Sequence, residues 1–179
     1  MCSMSVWFGR TEIDEASAAH QRVVRSVAAL LDQLQPARLD PARQVVELNG
    51  GETWVHLRHD SEPELEIRLV LCGSWANFYG VMGHDEAYSG SDESPDAWEA
   101  ETIDILAVLL QAPYTFDTYE LAGKSWREDL TIGSPYYIQT FSSGPSLASF
   151  FPLRRWATRV QTRSSSFECR GSRPSSDRR

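Results

Sequence analysis

An alternation of apolar and polar residues over 64–72 is the clearest pattern in the chain. The apolar positions are Leu65, Ile67, Leu69 and Leu71, and most of the residues between them are charged. A period of two is typical of a β-strand that buries one face and exposes the other. The pattern therefore predicts a strand of an antiparallel sheet with a polar outer face.

Two neighbouring segments extend this strand into a group of three. Residues 52–59 place Val55 on one face of a strand and Trp54 and His56 on the other. Residues 75–82 follow a Gly-Ser turn and form the third strand. Short turns between consecutive strands favour antiparallel neighbours.

Apolar residues that recur at steps of three and four predict two helices. The first spans about residues 12–34, with Thr11 as its N-cap and acidic residues in its first turn. The second runs between Ser94 and Pro113, because serine caps a helix and proline ends one.

A second group of strands follows the second helix. Residues 114–121, 125–132 and 136–141 have strand character, and residues 156–163 fit a last edge strand. The order α-βββ-α-βββ predicts an α+β fold, with two helices packed on an antiparallel sheet of about six strands. Residues 1–163 are expected to form a single α+β domain. Residues 164–179 are rich in serine and arginine and are predicted to be a disordered basic tail.

Charge divides the chain unevenly. The net charge is −8 over 179 residues, but residues 1–152 carry −14 and residues 153–179 carry +6. An acidic body repels nucleic acids and anionic membranes and attracts basic proteins. A basic protein partner is therefore expected, whereas nucleic acid and membrane are not. The basic tail leaves nucleic-acid binding as a third and weaker hypothesis.

The cysteines and the N-terminus indicate a reduced, cytoplasmic protein. Cys2, Cys72 and Cys169 lie far apart, which disfavours a disulfide framework or a zinc site. The N-terminus lacks the pattern of a secretory signal, and the long uncharged stretch at 130–153 contains too many prolines and glycines for a membrane helix. No phosphate-binding loop, nucleophile elbow or zinc-protease motif is present, so no cofactor, metal or catalytic residue is predicted.

Two segments favour a binding function. Residues 85–104 contain eight carboxylates and no basic residue, and residues 130–153 are uncharged and aromatic. Carboxylates steer basic partners, and aromatic side chains dominate interface hot spots. The predicted partner-binding residues are Asp92, Glu93, Asp96, Glu99, Glu101, Tyr136, Tyr137 and Phe141. A solvated helix face and a core-packing strand remain the alternative interpretations of the two segments.

A histidine next to two carboxylates suggests the alternative function, that of a small enzyme. His84 is followed by Asp85 and Glu86 in a polar loop, an arrangement that suits an acid–base or metal site of a small enzyme. His56 and His59 lie three residues apart on a strand, so they are expected to face opposite sides and not to share a metal.

The order of elements over residues 11–132 and the acidic charge resemble the type III secretion chaperone-like fold, including YbjN-type domains. They are also similar to small immunity proteins of bacterial toxin systems. The resemblance implies a small acidic bacterial protein that binds polypeptides and often forms homodimers. The favoured hypothesis is a non-enzymatic, immunity- or chaperone-like protein that engages a basic partner.

Overall fold

A computed structural model describes residues 7–80, 85–87, 95–134, 137–143 and 158–171. Contacts divide the chain into two compact units. Unit 1 comprises Met1–Gln111 and Phe167–Arg179, and unit 2 comprises Ala112–Ser166. The described residues contain two α-helices and two largely antiparallel sheets, which confirms the α+β class. The strands form two sheets rather than the one sheet predicted, and their folding as a single domain stays a prediction.

Unit 1 is built on a sheet of six strands. They are β1 (Arg10–Thr11), β2 (Val45–Asn49), β3 (Glu52–Arg58), β4 (Glu66–Cys72), β5 (Trp75–Gly80) and β6 (Asp85–Ala87). The strands lie side by side in chain order, and only β1 runs parallel to its neighbour. Tight turns explain this order, since Gly50 and Gly51 adopt positive φ angles of 60° and 92° between β2 and β3.

Helix α1 begins later than the sequence predicts. It spans Ala18–Leu34, and the Ser17 hydroxyl accepts the backbone N–H of His20 at 3.2 Å. The predicted start near Thr11 was wrong, because Ile13–Glu15 form a separate 3₁₀ turn before this serine cap. The helix ends at Leu34, and the next residue, Gln35, adopts a left-handed φ of 46° immediately before a proline.

The helices bury the inner face of the six-stranded sheet. Helix α2 (Pro95–Gln111) packs beside α1 and is apolar on several sides. The inner sheet face contributes Val46, Thr53, Val55, Leu57, Ile67, Leu69, Leu71, Ala76 and Phe78, all buried. The alternation predicted for residues 64–72 is thus confirmed, with its apolar positions in the core.

His20 ties α1 to the sheet. Its Nε2 donates to the carbonyl of Gly73 at 3.2 Å, and its Nδ1 accepts the Thr53 hydroxyl at 2.9 Å. Burial lowers the pKa of this imidazole, although the Gly73 carbonyl opposes the shift. A neutral ring satisfies both contacts, so His20 is a packing residue of the core.

The chain returns to unit 1 after unit 2. Phe167 is fully buried and packs edge-on against His59, with ring centroids 5.4 Å apart. The backbone N–H of Arg38 donates to Phe167, and the N–H of Gly171 donates to Leu34. A Cβ at Gly171 would lie 2.0 Å from a backbone oxygen, so this close approach needs glycine.

Residues 167–171 form this return segment, and their placement shows that the predicted boundary of the disordered tail was wrong. The sequence predicts disorder over residues 164–171, but they continue a strand and then enter the core. The serine- and arginine-rich composition concealed Phe167, whose burial offsets the entropy of ordering the segment. Residues 172–179 lie outside the described residues.

Unit 2 is a sheet of four strands. They are β7 (Tyr114–Leu121), β8 (Lys124–Ser134), β9 (Tyr137–Ser143) and β10 (Thr158–Ser165), in the order β10-β7-β8-β9. All neighbours are antiparallel, and these strands lie close to the predicted segments. Tyr114, Phe116 and Ile132 are buried, and the guanidinium of Arg163 lies 4.3 Å from the Phe116 ring centroid.

Candidate functional site

The face of the six-stranded sheet opposite the helices carries a group of interacting polar and aromatic side chains. We call it the outer sheet face, and the strand register defines it. Its residues include Glu47, Glu52, Trp54, His56, Arg58, Glu66, Arg68, Val70, Trp75, Asn77 and Tyr79. The alternation of β3, β4 and β5 places these residues away from the core.

Two aromatic rings meet across β4. Trp54 lies on β3 and Tyr79 on β5, and their ring centroids are 6.4 Å apart with an interplanar angle of only 3°. The indole N–H of Trp54 donates to Glu52 at 3.0 Å, which fixes the orientation of the ring. Val70 lies between the two strands on β4 and is 2% exposed. The two half-buried rings are therefore parallel to each other on the outer sheet face.

His56 bridges two carboxylates beside the aromatic pair. Its Nδ1 lies 3.0 Å from Glu66 Oε1, and its Nε2 lies 3.2 Å from Glu47 Oε1. Carboxylates accept hydrogen bonds, so both contacts are satisfied when the imidazole donates from both nitrogens. The imidazole also stacks on Trp54, with ring centroids 6.1 Å apart.

Glu66 is the electrostatic centre of this cluster. The hydrogen bond from His56 and then that from Arg58 lower the pKa of the Glu66 carboxyl to about 2, against the opposing effect of burial. Arg58 Nε lies 3.0 Å from Glu66, and Arg68 Nε lies 3.6 Å from it. Both arginines thus share one carboxylate, and Arg68 Nε is a buried donor without a hydrogen-bond partner.

Glu47 and Asn77 retain capacity for additional contacts. The Glu47 side chain is 42% exposed, although one of its oxygens contacts His56. Asn77 is 7% exposed; its Nδ2 donates to the Tyr79 hydroxyl at 3.2 Å, and its Oδ1 has no hydrogen-bond partner. A buried acceptor without a donor is costly, which marks this position as a candidate for a ligand contact.

The predicted acidic residues divide between internal contacts and exposure. Glu99 on α2 accepts the Ser26 hydroxyl at 2.5 Å and lies 3.6 Å from Arg22, so it helps to join α2 to α1. Glu101 is exposed. Asp96 lies in the first turn of α2, while Asp92 and Glu93 lie outside the described residues.

The predicted aromatic residues belong to unit 2. Tyr137 and Phe141 lie in β9, opposite Ser134 and Leu130 of β8. Tyr136 lies outside the described residues. The strand predicted over residues 136–141 is therefore present from Tyr137 onward, and the binding role of its aromatic residues stays a prediction.

The predicted His84 loop is only partly described. Asp85 and Glu86 lie in β6, paired with Phe78 and Asn77 of β5, so the prediction of a loop at these two positions was wrong. A short edge strand was missed because three residues are too few to carry an apolar alternation. His84 lies outside the described residues.

His56 and His59 contact different groups. His56 lies on the outer sheet face, whereas His59 Nδ1 accepts the backbone N–H groups of Ser61 and Glu62 after the end of β3. His59 is 3% exposed and packs on the return segment. Within the described residues, no group of three or more histidine, cysteine, aspartate or glutamate side chains is arranged to hold a metal ion.

The Cys169 thiol is not activated as a nucleophile. Burial raises the pKa of the Cys169 thiol to about 11, and its Sγ lies 3.3 Å from the carbonyl of Leu110. A thiol nucleophile requires the opposite shift. Cys72 is half-buried, and neither cysteine forms a disulfide.

The chain matches no known protein family, no curated protein and no solved structure. Neither helix in the described part of the chain combines the length and apolar character that a membrane crossing requires. The candidate site therefore rests on the geometry of this molecule alone.

The sequence assigned Trp54 and His56 to one face of a strand and placed Tyr79 in the strand predicted over residues 75–82, but it did not group them as a site. The contact between Trp54 and Tyr79 depends on the order of β3, β4 and β5, and the contact between His56 and Glu47 depends on the register of β2 with β3. The sequence did offer one signal for this site: aligning the strands of the predicted hairpins would have shown which polar and aromatic residues share a sheet face.

Proposed function

We propose that this protein is a non-enzymatic binding domain that engages a basic protein partner, in the manner of an immunity or chaperone protein. The outer sheet face is its docking surface. The observation that carries this proposal is the stacked pair of Trp54 and Tyr79 beside the exposed carboxylate of Glu47. Tryptophan and tyrosine are among the residues that most often supply binding energy in protein interfaces.

Charge favours a basic partner. Unit 1 carries 21 acidic and 11 basic residues, a net charge of −10. The arginines of the outer sheet face already contact Glu66, whereas Glu47 is well exposed. A basic polypeptide would be attracted over a distance of about 8 Å at physiological ionic strength.

The acidic residues of the segment around α2 have a separate role in this proposal. Exposed carboxylates such as Glu101 accelerate the encounter, together with Asp92, Glu93 and Asp96. Glu99 contributes less, since its carboxylate contacts Ser26 and Arg22. The aromatic residues Tyr136, Tyr137 and Phe141 remain a second proposed contact region.

The test uses two labelled peptides of twelve residues, one alternating lysine with serine and one alternating glutamate with serine. We expect the basic peptide to bind and its affinity to fall between 50 and 300 mM salt, and we expect the acidic peptide not to bind. The double variant Glu47→Gln/Glu52→Gln keeps the hydrogen-bond acceptors and removes the charges. It should weaken binding about tenfold, because charge-assisted contacts are lost.

Glu101→Gln is the matched control for these glutamates. It should slow association and leave dissociation nearly unchanged, since an exposed charge outside the docking surface acts on the encounter. Equal binding of both peptides, or the same affinity for the wild type and the double variant, would contradict the proposal.

A further inference from the structure

We infer that the outer sheet face selects arginine over lysine in its partner, with a guanidinium stacked on Trp54 and Tyr79 and hydrogen-bonded at Asn77. This inference rests on the proposed function, because it names the side chain that a basic partner would insert.

The aromatic pair fits a planar cation. Trp54 and Tyr79 are parallel within 3°, and Glu52 holds the indole through its N–H. A guanidinium is planar and weakly hydrated, so it stacks on an aromatic face without losing much solvation. The ammonium of lysine is compact and strongly hydrated, and it gains less from a flat surface.

The acceptors next to the rings fit the same group. Asn77 shares the outer sheet face with Tyr79 and donates to its hydroxyl, and Asn77 Oδ1 is a buried acceptor without a hydrogen-bond partner. A guanidinium carries five donors and no acceptor. Its donors lie in the plane of the group, so it can stack on a ring and donate to an acceptor at the ring's edge together. An ammonium cannot stack in this way.

The surrounding charges favour a cation over an anion. Glu47 is exposed beside the pair, while Arg58 and Arg68 both lie against Glu66. An incoming guanidinium would therefore meet the partly exposed carboxylate of Glu47, and both nearby arginines contact Glu66. Phosphate or a nucleotide would meet the negative net charge of unit 1, which disfavours it.

The experiment compares three labelled peptides of twelve residues, in which serine alternates with arginine, lysine or citrulline. Citrulline keeps the planar shape of arginine and removes its charge. We expect the arginine peptide to bind about fivefold more tightly than the lysine peptide, as stacking on a half-buried aromatic pair predicts. The citrulline peptide should bind more weakly than both, because it carries no charge.

Three variants test Trp54 and Asn77, two of the residues that the inference names. Trp54→Ala should reduce the affinity for the arginine peptide to that for the lysine peptide, and Trp54→Phe should restore most of the preference. Asn77→Leu should also reduce the preference for the arginine peptide over the lysine peptide. If circular dichroism shows that Trp54→Ala does not fold, Asn77→Leu becomes the variant that tests the inference. Trp7→Ala is the control, since Trp7 contacts Asp32 of α1 and lies outside this face.

The outcomes separate this inference from the proposed function. Equal affinities for arginine and lysine peptides would overturn the selectivity and leave the binding of a basic partner intact. Failure of both basic peptides to bind would overturn both proposals. An arginine preference that survives in Trp54→Phe, Trp54→Ala and Asn77→Leu alike would place the selective contact elsewhere and overturn the inference.

Discussion

Unit 1 and unit 2 are both built on antiparallel strands, but the apolar side chains whose burial is described differ strongly between them. Unit 1 covers one sheet face with two helices, and residues such as Leu57, Leu69 and Leu106 are fully buried. Among the described residues of unit 2, the large buried apolar side chains are Tyr114, Phe116 and Ile132. A sheet gains most of its stability from what covers it, and in unit 1 that cover is the two helices.

Charge separates the two units as well. Unit 1 has a net charge of −10, whereas unit 2 has 6 basic and 4 acidic residues and a net charge of +2. In unit 2 the described arginines of β10 contact Asp117 and Glu128. The acidic character that favours a basic partner therefore belongs to unit 1.

The return segment should give the largest effect on stability. Truncation after Ser166 removes Phe167 and the backbone hydrogen bonds to residues 34–38. Loss of a fully buried phenylalanine alone costs about 3–5 kcal/mol, so we expect the melting temperature to fall by about 10 °C or more. Thermal denaturation, monitored by circular dichroism, measures this change in melting temperature. Truncation after Gly171 keeps all these contacts and is the control; equal melting of the two truncated chains would refute the prediction.

Hydrogen exchange should show directly that the two units differ in local stability. We expect the central strands β3 and β4 to exchange their amide protons about 100-fold more slowly than β10, because deep burial makes local opening rare. Leu57 and Leu69 are informative in unit 1, and Val160, which is 49% exposed, is informative in unit 2. Equal protection at these amides would show that the units open together and would support one cooperative domain.

Low pH should destabilise unit 1, because the carboxylate of Glu66 becomes protonated. The pKa of Glu66 is lowered from 4.5 to about 2 in the folded state, first by the hydrogen bond from His56. Its stabilising contribution is therefore present above pH 4.5 and is lost as the pH falls from 4.5 toward 2. Because the carboxylate is partly exposed, we expect this contribution to be about 1–2 kcal/mol.

Glu66→Gln should lower the free energy of unfolding at pH 7 and flatten its dependence on pH between 4.5 and 2. Urea denaturation across this range measures both effects. The exposed Glu101 offers the matched control, since Glu101→Gln should leave the slope unchanged. A wild-type stability that stays constant down to pH 2 would show that the His56 contacts do not hold this carboxylate.

The smallest effect concerns the two glutamates of α2. Glu99→Gln should destabilise unit 1 by about 1 kcal/mol, because it weakens charge-assisted contacts with Ser26 and Arg22. Glu101→Gln should change stability by less than about 0.5 kcal/mol, as is usual for exposed charges. Chemical denaturation of both variants measures the difference, and equal values would show that Glu99 contributes nothing to helix packing.

The sequence by itself determined the elements that short-range patterns control. The alternation over residues 64–72 assigned the faces of β4 correctly, since Ile67 and Leu69 are buried in the core whereas Arg68 lies on the opposite face. Both helices were identified from their apolar periodicity. The start of α1 was missed, because a serine cap at Ser17 competes with a threonine six residues earlier and only packing decides between them.

Only the tertiary structure decided what depends on distant contacts. The two sheets, the return of Phe167 to the core and the stacking of Trp54 on Tyr79 all join residues far apart in the chain. Periodicity states which face a side chain occupies but not which strand lies beside it. Strand order and register are set by the packing of whole elements, and so the candidate site emerged only from the folded chain.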